Sequence, residues 1–191
     1  MISVVIPALN SERVLVPLLA SLVPGSAQGL LREVILADGG STDETEKIAD
    51  IAGCNFQRAP HDLGARLRAA AQSARGNWLM FLDPAARLEE GWTRELRIFL
   101  ERAERLGETE KRAAAFKLVH EDFRLSARFA AAVRIVLSGK PRAEQGLLIS
   151  KRFYQMLGGH KDGAHAQEQL LARIGRRRIV TLRAQLALRR L

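Results

Sequence analysis

The stretch Glu33-Val-Ile-Leu-Ala-Asp-Gly-Gly-Ser-Thr-Asp43 constrains this chain more than any other. Val34 to Ala37 is a short apolar run rich in branched residues, the pattern of a strand buried on both faces. It stops at Asp38, where Gly39-Gly40 free the backbone to turn sharply or to admit a ligand. Ser41, Thr42 and Asp43 are N-cap candidates, and Glu44 and Glu46 fall in the first turn of the next helix, where the helix dipole favours acids. A carboxylate is thus predicted at the carboxyl end of a strand, beside a glycine turn and a helix start. Ligands bind at such places in open α/β sheets. A plain strand-to-helix connection with a solvated Asp accounts for the same residues.

The neighbouring segments extend the pattern. Ile2 to Ile6 reads as a first buried strand, ended by Pro7, which has no N–H for the ladder. Ala8 to Glu12 is a loop, and a helix established near Pro17 carries Leu18, Leu19 and Leu22 before Pro24-Gly25-Ser26 breaks it. A second helix is expected from Asp43 to Ala52, with Ile48, Ile51 and Ala52 inward, then a short strand at Asn55 to Arg58. Strand, helix, strand, helix, strand at this spacing is a βαβαβ nucleotide-binding-type half. An alanine-rich helix from Ala65 to Ala74 bears Arg66 and Arg68, with Gly76 as its C′ residue. Trp78 to Leu82 is a fourth strand, ending at Asp83-Pro84 and so placing a second carboxylate at a strand end. Gly91 to Leu106 is an amphipathic helix with Leu96, Phe99, Leu100 and Ala103 on one face.

Beyond Arg112 the expected elements are a strand at Ala113 to Val119, a helix over 123–137 and a loop to Gly146. A strand at Leu147 to Ser150, a helical turn to Leu157, a helix at Gln167 to Gly175 and a last strand at Ile179 to Leu182 complete the pass. Trp78 and Trp92 read as core, and His160 and His165 as surface loop histidines rather than a metal pair, because no Cys or spaced acid accompanies them.

At 191 residues the chain suits a single domain. Residues 1–106 are expected to form a nucleotide-binding half, and residues 107–191 a second half with a basic C-terminus. No apolar run approaches the roughly 18 to 20 residues that span a bilayer. The N-terminus enters a strand at once, without the pattern of a secretory signal. Cys54 is the only cysteine, so no intramolecular disulfide forms, which fits a reducing cytosol. A cytoplasmic protein is expected. The net charge of +9 sits mostly late, at Lys151-Arg152, Arg173, Arg176-Arg177-Arg178, Arg183 and Arg189-Arg190. Such a third suits an anionic membrane face, peripheral to an inner membrane, or a phosphorylated ligand. No aromatics interleave these clusters, which argues against nucleic acid as a partner.

Three features stand in order: Ile6-Pro-Ala-Leu-Asn-Ser-Glu12, Ala37-Asp-Gly-Gly-Ser-Thr-Asp43 and Phe81-Leu-Asp83. With Arg75 to Leu82, Glu144 to Arg152 and Phe153 to Gly159, this set resembles the family 2 nucleotide-sugar glycosyltransferases, above all the small bacterial members without transmembrane helices. The resemblance spans residues 2 to 182. It implies an α/β, Rossmann-like nucleotide-diphospho-sugar transferase (glycosyltransferase A-type) fold, a mixed sheet flanked by helices. It also implies inverting transfer from a UDP-sugar donor to a hydroxyl acceptor. The nucleotide contacts it implies are Pro7, Ala8, Asn10, Glu12, Asp38, Gly39, Arg66 and Asp83. Asp83 would also belong to the Asp-X-Asp element that holds Mg²⁺ or Mn²⁺ on the diphosphate.

The chain departs from the family at two places. Ala85 stands where the second acid of the metal element belongs, which puts the metal in doubt. In the helix whose register Leu170-Leu-Ala-Arg173 sets, Ala166-Gln167 stands where members carry a Glu-Asp pair with the general base. Glutamine takes no proton; Glu168 lies one residue on, about 100° around the helix. Compensation would use Glu144 or Glu168 as base, with Arg66, Arg68, Arg142 or Arg176 to Arg178 neutralising the diphosphate. Without compensation the chain is a degenerate binding protein that acts through its basic surface on a membrane or protein partner.

Overall fold

Residues 1–59, 61–120 and 142–188 are described by the computed structural model. Strand β1 (Ile2–Ala8) lies at its centre. Val4 and Ile6 face one layer of core and Val5 the other, as the two-residue period of a strand dictates. Parallel to β1 run β2 (Leu31–Asp38) on one side and β4 (Trp78–Phe81) on the other, and β3 (Asn55–Arg58) extends the sheet beyond β2. The other half adds β5 (Ala86–Leu88), β6 (Ala113–His120), β7 (Leu147–Ser150) and β8 (Ile179–Leu188). Among the described residues these make one mixed sheet in the order β3-β2-β1-β4-β7-β6-β8-β5. Strand order reverses at β1, since the parallel strands β2 and β4 flank it on opposite sides. The crevice above that point is the ligand position of an open α/β sheet.

Helices cover both faces. On one side α1 (Glu12–Ala27) and α4 (Trp92–Arg105) bury Leu15, Leu18, Leu22, Leu96 and Phe99 against Val4, Ile6 and Met80. On the other, α3 (Leu63–Ser73), α5 (Lys151–Met156) and α6 (Ala166–Ile174) bury Leu67, Phe153 and Leu170 against Val5, Ile35 and Leu79. The short α2 (Thr45–Ile51) follows β2. Trp78 and Trp92 are core residues, as expected.

Several boundaries differ from the sequence reading. Pro7 does not end β1, which pairs with β2 through Ala8. Val5 O accepts from Leu82 N on the β4 side, and by alternation the Pro7 nitrogen faces that same side, where β4 has already ended. No ladder bond is lost. Helix α1 begins at Glu12 and runs through both Pro17 and Pro24. Each interior proline costs roughly 3 kcal/mol, but burying Val14, Leu15, Leu18 and Leu22 returns roughly 6 to 12 kcal/mol. In α2 the buried residues are Thr45 and Ala49, and Ile51 is 78% exposed. Thr45 Oγ1 accepts from Ser11 N at 2.8 Å, which fixes the helix rotation and turns Ile51 outward. Gly76 is not the end of α3, which closes at Ala74; it lies against the Ser3 backbone, where a Cβ would meet Ser3 N at 2.6 Å. Strand β8 continues past Leu182 to Leu188, across a register break, to pair with β5. The helix expected over 123–137 and the tail Arg189-Arg190 lie outside the described residues. Among those described, no helix is long and apolar enough to cross a membrane.

Gly25 shows how tightly α1 is seated: a methyl there would overlap the Trp92 ring, which is 2% exposed and donates Nε1–H to Ser21 O at 3.0 Å. Gly25→Ala is expected to destabilise the fold by about 1–3 kcal/mol, the usual cost of overpacking. Urea unfolding would read this as a lower midpoint at unchanged slope.

Candidate functional site

At the carboxyl edge of β1 and β2, two loops are stitched together by reciprocal hydrogen bonds. Gly39 N donates to Ala8 O at 2.8 Å. Asn10 N donates to Ser41 Oγ at 2.8 Å and Glu12 N to Asp43 Oδ2 at 3.1 Å. In return Thr42 N donates to Asn10 Oδ1 at 2.9 Å and Glu44 N to Glu12 Oε2 at 3.0 Å. Asn10 closes its side of the loop in the left-handed region, φ 49°. Asp43 accepts Thr45 N and the Thr45 hydroxyl, and these bonds hold its carboxyl below the usual range against the opposing effect of burial. Asn10 and Glu12, read from the sequence as nucleotide contacts, thus also serve as the rivets of the loop pair.

Asp38 is buried, 1% exposed. Its Oδ2 accepts Gly40 N and Ser41 N, each at 2.9 Å, and Oδ1 accepts the Ser41 hydroxyl. Three hydrogen bonds make this carboxylate the nucleus of the turn. Behind it stands Arg66 of α3, 8% exposed, with Nη1 on His61 O at 3.4 Å and Nε buried without a partner. Burial lowers the Arg66 guanidinium from its ordinary value, and Asp38 and Asp62 pull the other way. Gly39 has no side chain because Arg66 Nη1 fills the space one would occupy. The sequence pointed to Arg66 but missed Asp62, the N-cap of α3. Asp62 accepts Ala65 N at 2.7 Å and Gly163 N at 2.7 Å, tying α3 to the loop before α6. The signal was an Asp three residues before Ala65, hidden because the helix was started too late.

Asp83 follows β4 on the same edge. Its Oδ1 accepts Ala85 N at 2.8 Å, and burial raises its carboxyl, with the Ala85 bond opposing and Glu144 adding to the rise. β4 and β7 are antiparallel with Phe81 opposite Leu147. Continued one and two residues, that register sets Asp83 beside the 3-10 turn Ala143–Gln145, which carries Glu144. The structure therefore brings together two candidates that lie 61 positions apart in the sequence. Among the described residues no cluster of three metal-ligating side chains occurs. A magnesium-type ion on a diphosphate needs only one or two carboxylates besides the phosphates, and Asp83 with Glu144 matches that donor chemistry.

The loop between α5 and α6 is the third wall. His160 is not a surface residue: it is 1% exposed, stacked edge-on with Phe81 at 4.8 Å. Tyr154 Oη accepts His160 N and bonds His160 Nδ1, both at 2.9 Å, and His160 Nε2 is buried without a partner. Arg68 donates to His160 O at 2.9 Å and pairs with Asp162 at 2.7 Å. Arg173 donates to Leu157 O and Gly159 O. His165 is exposed, as read, and precedes α6. Ala166 is fully buried, and Glu168 lies exposed in the first turn of α6, off the face formed by Ala166, Leu170 and Ile174.

The Arg176–Arg178 turn is not part of this site. It precedes β8, whose Ile179 pairs with Ala113, which pairs in turn with Ile149 beside the Trp78–Ser150 end of the sheet. That is the edge opposite Phe81. Arg178 lies 4.3 Å over the Phe153 ring and donates to Lys111 O and Glu110 O, so this cation is spent on packing. With Arg173 also engaged and Arg152 paired to Glu110 at 2.8 Å, three of the late basic residues brace the fold rather than form a free cationic face.

Comparison with known proteins matches residues 3–133 to the glycosyl transferase family 2 model. No curated protein matches the sequence. Among solved structures, glucosyl-3-phosphoglycerate synthase from Mycobacterium tuberculosis, in complex with Mn²⁺, UDP and glucosyl-3-phosphoglycerate, is similar with a TM-score of 0.66 at 21% identity, covering 100% of this chain and 72% of that one. Residues 1–349 of S. aureus TarS, in complex with UDP-GlcNAc, give 0.68 at 17% identity, covering 100% of this chain and 59% of that one. A mycobacterial protein gives 0.68 at 20%, covering 100% and 68%.

The buried histidine makes stability depend on pH. Burial, helped by Arg173 and Arg68, pulls His160 down to about 3 from an ordinary 6.5. Across that interval the unfolded chain binds the proton and the folded one does not, so stability falls as pH falls from 6.5 toward 3. Urea midpoints measured across this range should fall more gently in His160→Gln than in wild type; parallel slopes would contradict a neutral buried His160.

Proposed function

Given that the chain belongs to glycosyl transferase family 2, we propose that it binds a UDP-sugar and transfers the sugar, with inversion, to a hydroxyl acceptor. The observation that carries this reading is the interlocked loop pair at the ends of β1 and β2, with Asp38 at its nucleus and Arg66 behind it. Pro7, Ala8, Asn10 and Glu12 form one lip of the base and ribose pocket. Gly39 and Arg66 form the other, and Asp38 holds both in register. Loops already locked together by hydrogen bonds lose little freedom on binding. Asp83, at the neighbouring strand end, faces the ribose and diphosphate.

In the transfer step a base takes the acceptor hydroxyl proton as that oxygen bonds to the sugar carbon, and the bond from that carbon to the phosphate oxygen breaks, releasing UDP. Glu168, at the amino end of α6 beside the tied ends of α3 and its loop, is assigned as the base. Asp83 would hold a divalent ion on the diphosphate, and such an ion would supply positive charge to the leaving UDP.

A second reading, nucleotide binding without transfer, is supported by buried Ala166 and by Gln167 in the base register, with Glu168 on the solvent face of α6. Calorimetric titration of UDP and UDP-sugars to about 1 mM, the weak end of useful affinity, tests both readings. Binding is expected, and Asp38→Ala should weaken it by about tenfold or more, because two backbone N–H groups and the Arg66 charge lose their partner. No binding at that level would sink the nucleotide-sugar assignment. UDP release with acceptor present should drop by about 100-fold or more in Glu168→Gln if Glu168 is the base; no release even in wild type favours the binding protein.

A further inference from the structure

We infer that Glu144 supplies the second carboxylate that Ala85 lacks, so that Asp83 and Glu144 together hold a Mg²⁺- or Mn²⁺-type cation on the donor diphosphate. The inference rests on the nucleotide-sugar reading above and gives the site a donor from outside the Asp-X-Asp element. Three observations carry it. The antiparallel register of β4 and β7 sets Asp83 against the turn that bears Glu144. That turn is held in place: Gln145 accepts Arg142 N at 2.8 Å and donates to Phe116 O at 3.2 Å. Gly146, at φ 67°, packs so close that a Cβ would meet Leu82 Cδ2 at 2.8 Å. Glu144 is therefore presented by a rigid support rather than by a loose loop.

The acceptor atoms point the same way. Asp83 Oδ1 is taken by Ala85 N, but Oδ2 and the Glu144 carboxylate have no hydrogen-bond partner among the described residues. A hard divalent ion accepts one or two carboxylates, with phosphate oxygens and water completing its shell.

UDP affinity should be measured by calorimetry in EDTA and in saturating Mn²⁺, for wild type, Glu144→Gln, Ala85→Asp and the double variant. The metal-free value serves as each protein's own reference. Because metal and nucleotide are linked, Mn²⁺ should tighten UDP by about tenfold in wild type and by less than about threefold in Glu144→Gln. Ala85→Asp should restore the gain in the double variant. A full Mn²⁺ gain in Glu144→Gln overturns the assignment, and so does a wild type indifferent to Mn²⁺. In the latter case UDP still binds and the nucleotide reading stands, whereas absence of UDP binding in every arm removes both.

Discussion

The hydrogen-bonded clasp around Asp38 is the constraint on which the candidate site depends. A carboxylate with little exposed surface would be costly to ionise if its oxygens were idle. Here two backbone N–H groups and a hydroxyl occupy it, with Arg66 within its field. The bonds that satisfy Asp38 set the path of Gly39 to Ser41, and Ser41 and Asp43 in turn receive the backbone of Asn10 and Glu12. Two loops more than 25 residues apart thus become one rigid lip. Rigidity of this kind places polar groups before a ligand arrives, which lowers the entropy cost of binding.

The same economy explains how charge is distributed. With a formal +9, the chain looked built for a cationic surface. Arg173 and Arg178 instead cap carbonyls, and Arg178 covers an aromatic ring. A guanidinium suits that work because its planar fork reaches several acceptors at once. The acids show the reverse. Asp83 and Glu144 are held near one another despite their like charge, a juxtaposition the fold tolerates because the turn bearing Glu144 is anchored by Gln145 and Gly146.

Much of this was legible from residue order. The strand ends at Asp38 and Asp83, the βαβαβ start, the apolar face of α4 and the strand at Leu147 to Ser150 follow from period and punctuation, and the structure contains them. Local rules failed where tertiary contacts outweighed them. The prolines of α1 are overridden by four buried side chains, and the rotation of α2 is set by the Thr45 bond to Ser11 rather than by its isoleucines. Strand β8 runs past the expected end at Leu182, with Arg183 and Gln185 as the outward positions of an alternation whose inward members are Leu182, Ala184 and Leu186. His160 reads as a surface loop residue because no Cys or spaced acid accompanies it, and only the pairing with Tyr154 and Phe81 reveals a buried imidazole.

Sequence alone determined the fold class, the family resemblance and the strand ends that carry carboxylates, because short-range pattern dictates where a parallel strand must stop and a helix begin. It also exposed the replaced acids at Ala85 and Gln167, since identity needs no coordinates. Which distant groups share the site was decided only by tertiary structure. The pairing of Asp83 with Glu144, the clasp of Asn10 to Ser41 and the removal of Arg178 to the far edge all follow from strand register, and register is set by how whole faces pack.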